Sequence, residues 1–505
     1  MFFKGHFESE FLSRRSILFL GLVTVLSYFT FFHGYSNPPH LFWDENYHVA
    51  SAQKYLNGVY FMEQHPPLGK LLIAAGELLV DANRVDHQFI ATDHARNLPQ
   101  DFSFAGYRLF PTLFAWLTAP VLFLIFLLIT RSANPSLFFS FLYIFDNALI
   151  VHNRGAMLEG TLLFFCALML MLYLLHLQWK DKKKLFYMVS LLFGVSFGLV
   201  MATKLVGLIM ILLVPALGWQ LWGRWRQLAI CAGVMVVGFF AVYVCVWQIH
   251  FALGDNVLHH LPDNGYYQAS DKYKNYLDSG ANGTPKAFPV MLSDSFGFIE
   301  HYNRGVPKLD LCKEGENGSP FFYWPLGARA INYRWETSDG TLYQYLYLVA
   351  NPAVWFVALI GTFIGVIIFF APIFLPSVRG GLRYRRHLAV FLGLYVSYMG
   401  AISQIDRVMY LYHYFLPLLF SFLITATVFM ELKHVGSWKL TDARKNLLLL
   451  VLTVCVFSSY IFYAPLSYYR PIGNEEVMKR AIFPLWELHC VGCKKESILT
   501  EKICH

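Results

Sequence analysis

Charge is scarce in this chain. Only 14% of its 505 residues are Asp, Glu, Lys or Arg, against 56% hydrophobic and 18% aromatic residues. So few charges cannot cover the surface of an ordinary soluble domain of this length, and the composition indicates an all-α polytopic membrane protein. The formal surplus of +8 does not point to nucleic acid, because Lys and Arg sit in short clusters between apolar runs, where membrane topology places them. Cysteine is sparse too. Eight are too few to staple a chain this long, and Cys166, Cys231, Cys245 and Cys455 fall within apolar runs, as small core residues do. Cys312, Cys490, Cys493 and Cys504 lie outside them. Cys490-Val-Gly-Cys493, with His489 and His505 nearby, has the spacing of a redox or zinc pair; a structural disulfide is expected where the tail faces an oxidising compartment. There is no internal repeat and no low-complexity tract long enough to organise the chain.

What the chain does contain is a series of apolar runs. A spanning helix needs about 20 mainly apolar residues. Such runs lie near 16–35, 107–130, 135–151, 158–178, 185–202, 205–222, 228–250, 346–376, 388–403, 409–431 and 446–466, which predicts about eleven spans. Lys4, Arg14 and Arg15 precede the first run and predict a cytoplasmic N-terminus. A signal peptide is the competing reading, but the run is long and no small-residue cleavage site closes it. Alternation then puts Arg131, the run Lys180-Asp181-Lys182-Lys183-Lys184, Arg224, Arg226, Arg379, Arg383, Arg385, Arg386, Arg444 and Lys445 on the cytoplasmic side. Every basic cluster lands inside, so count and orientation support each other. The division expected is an N-terminal transmembrane catalytic half, 1–251, with a first outer loop at 36–105; a long outer loop, 252–345; a four-span region, 346–466; and an outer tail, 467–505. The long loop is expected to be functional or partly folded. It contains Asn282-Gly-Thr and Asn317-Gly-Ser, which are glycosylation sequons in a host that makes that modification.

The first outer loop holds the stretch WDENYHVASAQKYLNGVYFMEQHPPLGK, residues 43–70. Asp44 and Glu45 are adjacent and cannot share one helical face, so one can point at a reacting group while the other orients its neighbours. Asp44 can also N-cap a helix over ENYHVASAQKYL. A second amphipathic helix is predicted to run to about Val80, with Pro66-Pro67 presenting His65 just before it. Span ends on the same side carry Arg108, Asp146-Asn147 with Arg154 and Glu159, Lys204, and Asp406-Arg407 with His413. Interfacial snorkelling accounts for any one of these. Acidic and basic residues recurring at one face imply a polar chamber. Such a chamber suits transfer of a group from a phosphate to a hydroxyl: a carboxylate accepts the hydroxyl proton, while Arg and Lys neutralise charge on the departing phosphate. No metal or cofactor is needed. Cations at membrane depth also fit a lipid phosphate whose tail stays among the spans.

In order and spacing these motifs resemble those of the protein O-mannosyltransferase family, membrane glycosyltransferases of the C-type fold. The resemblance covers nearly the whole membrane region. It rests on Asp44-Glu45, His65-Pro66-Pro67-Leu68-Gly69-Lys70, Tyr107-Arg108, Asp146-Asn147 with Arg154 and Glu159, Lys204-Leu205-Val206-Gly207, Trp324-Pro325-Leu326 with Arg329, and the segment from Arg407 to His413 and Tyr414. It implies that a sugar, typically mannose, passes with inversion from a dolichyl or other polyprenyl phosphate to Ser or Thr hydroxyls of proteins on the outer or lumenal face. The lipid-linked sugar is a substrate, and no cofactor is implied. By the same resemblance Asp44 is the base at the acceptor hydroxyl and Glu45 its supporting carboxylate. Arg108, Lys204 and Arg407 are expected at the phosphate, and His65 in the donor or acceptor pocket. Lys70, Asp146, Asn147, Arg154, Arg329 and His413 complete the substrate-binding set.

The chain also departs from the family pattern. Residues 252–345 are too few for the β-trefoil module of eukaryotic members, which implies the microbial layout and a bacterial inner membrane ahead of the endoplasmic reticulum. The usual Asp-Glu-x-His is altered, since Asn46 and Tyr47 precede His48, and Glu159 stands where Asp is usual. A lipid-directed transferase of the same superfamily, such as one placing aminoarabinose on lipid A, would have Lys before the double proline, where this chain has His65. Oligosaccharide transfer to Asn lacks its Trp-Trp-Asp signature. A secondary transporter commonly shows pseudo-repeats with helices interrupted at the midplane, whereas here the charges gather at one face.

Overall fold

The computed structural model describes residues 13–260, 265–375, 382–493 and 499; the expectations attached to Lys4, Arg379, Cys504 and His505 fall outside the described residues. The chain is mostly helical. Among the described residues eight helices are long and apolar enough to cross a membrane, from Arg14–Phe32 to Asp442–Ser467. A ninth span results if Ala133–Ile144 and Asn147–Asn153, bent by 58° at their junction, count as one. The other two predicted runs fall short by length or composition. Leu205–Gln220 is a short segment, 3₁₀-helical over Leu205–Leu212 before it becomes α-helical, and Arg385–Ile402 starts on two arginines and a histidine. Helix Trp225–Leu253 presents Val236, Val237, Phe240, Val244 and Ile249 to its surroundings, as a lipid-facing surface does.

Two compact units interleave along the chain. One contains Phe32–Ala115 and Asn153–Pro307; the other contains Met1–Phe31, Trp116–His152 and Lys308–His505. The boundary near 307 falls inside the long segment 252–345, whose first part belongs to the first unit and whose remainder belongs to the second. That segment is partly folded, with helices Asp271–Asp278 and Phe288–Gly305 and strands Ile331–Thr337 and Leu342–Leu348.

In the first unit, helices Lys183–Thr203 and Trp225–Leu253 approach closely because glycine faces backbone: a Cβ at Gly238 would lie 2.6 Å from the Leu191 carbonyl oxygen, and one at Gly198 2.9 Å from that of Phe239. Small residues permit such approach between membrane helices, where van der Waals packing takes the place of the hydrophobic effect. Helices Glu45–Leu56 and Leu68–Val80 pack through Val49, Ala52, Ile73 and Ala74 onto Phe102, Phe104 and Tyr107.

In the second unit, Ile331–Thr337, Leu342–Leu348 and Pro471–Gly473 form an antiparallel sheet in that order. Helix Pro352–Phe374 packs on Phe415–Glu431, and a Cβ at Gly365 would lie 2.6 Å from Ile424 Cγ2. Cys490 and Cys493 are disulfide-bonded, as their spacing predicted, and so is Cys312. Of the cysteines in the apolar runs, Cys166 and Cys231 are buried, whereas Cys245 and Cys455 lie exposed on spanning helices and are not core residues.

Candidate active site

The first unit gathers Asp44, Glu45, His65, Lys70, Arg108, Arg154 and Lys204; the second contains Asp146, Asn147, Arg329, Arg407 and His413. The approach to the acidic pair is strained. Trp43 has φ +50°, a left-handed conformation that a bulky residue rarely adopts, at a cost of roughly 1–3 kcal/mol. Reciprocal bonds hold the turn: the Glu45 N–H donates to the Phe42 carbonyl (3.3 Å) and the Phe42 N–H donates to Glu45 Oε2 (3.2 Å). Helix Glu45–Leu56 starts where the sequence pattern placed it. Asp44 occupies its N-cap position, but the half-buried carboxylate makes no capping hydrogen bond. Capping therefore does not account for this acid.

Glu45 is fully buried and wholly committed to the protein. Its Oε1 accepts from Arg108 Nε (2.7 Å) and from the Ala156 N–H (2.7 Å), and its Oε2 accepts from Arg108 Nη2 (2.8 Å). The other Arg108 N–H groups donate to the carbonyls of Ser36 (2.8 Å), Pro38 (2.7 Å) and His40 (2.8 Å). All five guanidinium donors are thus used. With Phe42 and Phe104 flanking it at 4.8 and 4.2 Å, Arg108 is sealed from solvent. Arg108, expected at a substrate phosphate, has every N–H group bonded within the protein and fastens segment 36–45. Gly155 makes room for this pair, since a Cβ there would lie 2.8 Å from the Phe42 ring.

His48, three residues on and therefore on the same helical face as Glu45, bonds through Nδ1 to the Ala156 carbonyl at 2.7 Å. One backbone unit is pinned at its N–H by Glu45 and at its C=O by His48. Burial is the main reason that the His48 pKa falls to about 3, with Lys70 adding to the effect. The ring is neutral at physiological pH and presents Nε2 as an acceptor. The unfolded chain, with an ordinary value of 6.5, takes up this proton first on acidification. The contribution of the neutral ring is complete above about pH 6.5 and is lost as pH falls from there towards 3, with a slope approaching 1.4 kcal/mol per pH unit. Thermal denaturation followed from pH 7.5 to 4.5 should show a shallower acid limb in His48→Gln than in the wild type; parallel limbs would refute the assignment.

The lysines are paired. Lys70 Nζ donates to Glu63 Oε1 (2.6 Å) and to Ser51 Oγ (3.2 Å), and Lys204 Nζ donates to Glu159. Lys70 is 2% exposed, so a substrate oxygen would have to displace Glu63 or Ser51 to reach it. His65 is half-buried, and desolvation, followed by the charges of Lys204 and Lys70, holds its pKa well below the ordinary value. Within the Pro-Pro-Leu-Gly-Lys motif, a Cβ at Gly69 would lie 2.5 Å from Leu158 Cδ2, which explains why that position is glycine. Arg154 donates to the carbonyls of His33 (2.9 Å) and Gly34 (2.6 Å), bonds that hold the chain at the end of the first helix.

In the second unit most of the expected site residues serve the scaffold. Buried Asp146 accepts from the N–H groups of Leu149 (2.8 Å) and Asn351 (3.3 Å) and from Trp355 Nε1 (2.8 Å), and Asn147 Nδ2 donates to Ser467 Oγ (2.9 Å). The pair, expected in the substrate-binding set, joins helix ends at the bend. Arg329 is buried too, and it bonds Glu487 (3.1 Å) and the carbonyls of Gly318 (2.6 Å) and Glu316 (2.7 Å). It ties residues 316–329 to the C-terminal tail. His413 stacks on Tyr412 and Trp324, with ring centroids 4.6 and 6.0 Å away. Arg407 is partly exposed.

Sequence reasoning left His48, Ser51 and Glu63 off the substrate set. The i, i+3 relation of Glu45 and His48 on a predicted helix was a usable signal for the first. Nothing local announces that Glu63 reaches across the double-proline turn to Lys70. Among the described residues, no three His, Cys, Asp or Glu side chains converge as a metal-binding set.

Two family models match the chain: dolichyl-phosphate-mannose-protein mannosyltransferase over residues 21–260, and the C-terminal four-transmembrane region of protein-O-mannosyltransferase over residues 306–486. Among curated proteins, the Danio rerio protein O-mannosyl-transferase 2 is 31% identical over 149 residues, 30% of this chain and 19% of that protein. The Danio rerio protein O-mannosyl-transferase 1 is 27% identical over 243 residues, 44% of this chain and 33% of that protein. The chain thus aligns with a third or less of the length of these relatives. Among solved structures, the Saccharomyces cerevisiae protein O-mannosyltransferase Pmt1-Pmt2 complex bound to the sugar donor superposes with a TM-score of 0.78 at 14% identity, over 99% of this chain and 96% of that one.

Proposed function

The chain belongs to the dolichyl-phosphate-mannose-protein mannosyltransferase family, and on that premise we propose that it moves a mannosyl group from a polyprenyl-phosphate carrier to Ser or Thr hydroxyls of a polypeptide, on the membrane face away from the cytosol. The observation that carries this reading is the division of labour in the acidic pair: Glu45 is locked to Arg108 and Ala156, whereas Asp44 stands at the turn without serving as a cap. In the proposed step, Asp44 accepts the acceptor's hydroxyl proton as that oxygen attacks the sugar's anomeric carbon. The bond from this carbon to the phosphate breaks on the opposite face, and polyprenyl phosphate leaves. Lys204 and neutral His65 are the donor-side groups that the first unit supplies, while Lys70, Glu63 and Arg108 keep the frame. The family match does not favour transfer to lipid A or transport. The relatives named above come from an animal and a yeast, and they lend no support to a bacterial membrane over the endoplasmic reticulum.

Protein in membranes, incubated with polyprenyl-phosphate mannose and a Ser/Thr-rich peptide, should yield mannosylated peptide and an equal amount of free polyprenyl phosphate. Absence of glycopeptide overturns the proposal. For Arg407 the donor role rests on its motif. Arg407→Ala should raise the donor KM by about tenfold, the loss of one charge-assisted hydrogen bond, and leave the acceptor KM within about twofold. Equal increases in both would remove Arg407 from the donor site.

A further inference from the structure

The first turn of helix Glu45–Leu56 has two sides. Glu45 and His48 face inward onto Ala156, as described above. Asp44 and Tyr47, also three apart, share the other side, and the Tyr47 N–H donates to the Asp44 carbonyl at 3.1 Å. Tyr47 is 36% exposed. Next to it the turn at 92–96 is fastened to the same helical turn, because the Ala95 N–H donates to the Asn46 carbonyl at 2.7 Å. This brings the His94 ring to 6.1 Å from that of Tyr47, with Asp93 bonded to His94. Arg96 is a further charge near Tyr47.

We propose that Tyr47 and His94 form an aromatic acceptor subsite beside Asp44, which holds a polypeptide whose Ser or Thr is flanked by Lys or Arg. This rests on the transfer reading above and adds the class of acceptor. Exposed aromatic faces next to a carboxylate base would otherwise be a poor choice for a purely structural turn. Their chemistry is complementary to a cationic side chain, which gains from the ring face and from the carboxylates of Asp93 and Asp44 together. Tyr47 and His94 are therefore positioning residues for the acceptor, while proton transfer stays with Asp44.

The test uses the full chain in detergent and two Ser-containing peptides that differ only in Lys or Glu next to the acceptor. The wild type should prefer the Lys peptide by about two- to fivefold in kcat/KM, the worth of one exposed ring–cation contact. Tyr47→Ala and, independently, His94→Ala should abolish the preference and raise the acceptor KM, with the donor KM unchanged; Tyr47→Phe should restore both. Equal kcat/KM for the two peptides in the wild type, or an unaltered preference in both alanine variants, overturns the proposal. So does a donor KM that rises in step with the acceptor KM, since a collapsed fold would do that. Direct binding of the same labelled peptides, followed by fluorescence anisotropy, keeps the question separate from catalysis. A wild type that binds the Lys peptide more tightly yet makes no glycopeptide supports the subsite and rejects the transferase reading, whereas a wild type that transfers mannose but binds both peptides alike does the reverse.

Discussion

Asp44→Asn leaves the protein folded and its donor KM unchanged while lowering turnover by roughly 10²–10⁴, the usual worth of a positioned general base. Asn and Asp are about equal as N-cap residues, and Asp44 makes no capping hydrogen bond in any case, so helix Glu45–Leu56 should not be affected. The strained Trp43 turn is held by Phe42 and Glu45 and should persist. What changes is that an amide cannot take the acceptor's proton. The measurement is single-turnover formation of glycopeptide, with thermal unfolding as the control for folding. Turnover near that of the wild type would take Asp44 out of the mechanism.

The second large effect is on stability. Glu45 and Arg108 are completely buried, and a charge left in such a place without its partner costs about 3–5 kcal/mol. Arg108→Met should therefore destabilise the first unit by about that amount, the more so because the carbonyls of Ser36, Pro38 and His40 lose their donor as well. Glu45→Gln alone should be comparably harmful, because it leaves the guanidinium buried and half satisfied. The double variant Glu45→Gln/Arg108→Met removes both charges, and its loss should fall short of the sum of the single losses by about 2–3 kcal/mol in a double-mutant cycle. Urea or thermal denaturation in detergent measures all three. Additive losses would mean that the pair does not act as a unit.

These two predictions separate what a local pattern reveals from what it hides. Helix Glu45–Leu56, the helix that ends at Val80 and the disulfide of Cys490 with Cys493 were all legible, because periodicity, proline placement and cysteine spacing are properties of a few neighbouring residues. The span count was less secure, and residues 205–220 and 385–402 show why: an apolar run can break into a 3₁₀ turn or open on a charged cluster without losing its average character. The candidate site divided in the same way. Asp44 stands at the N-cap position where adjacency to Glu45 puts it, while Arg108, Asp146, Asn147 and Arg329, expected at the substrate, are bonded to the protein itself.

The sequence alone determined that this is a polytopic, mostly helical membrane protein with an acid pair after its first span, since hydropathy, charge placement and adjacency are written residue by residue. Only the tertiary structure decided which of the two acids is locked into a buried ion pair. Glu45 lies 63 positions from Arg108 and 111 from Ala156, and whether a charge is buried with a partner or turned towards a ligand depends on which distant segment the fold brings to it.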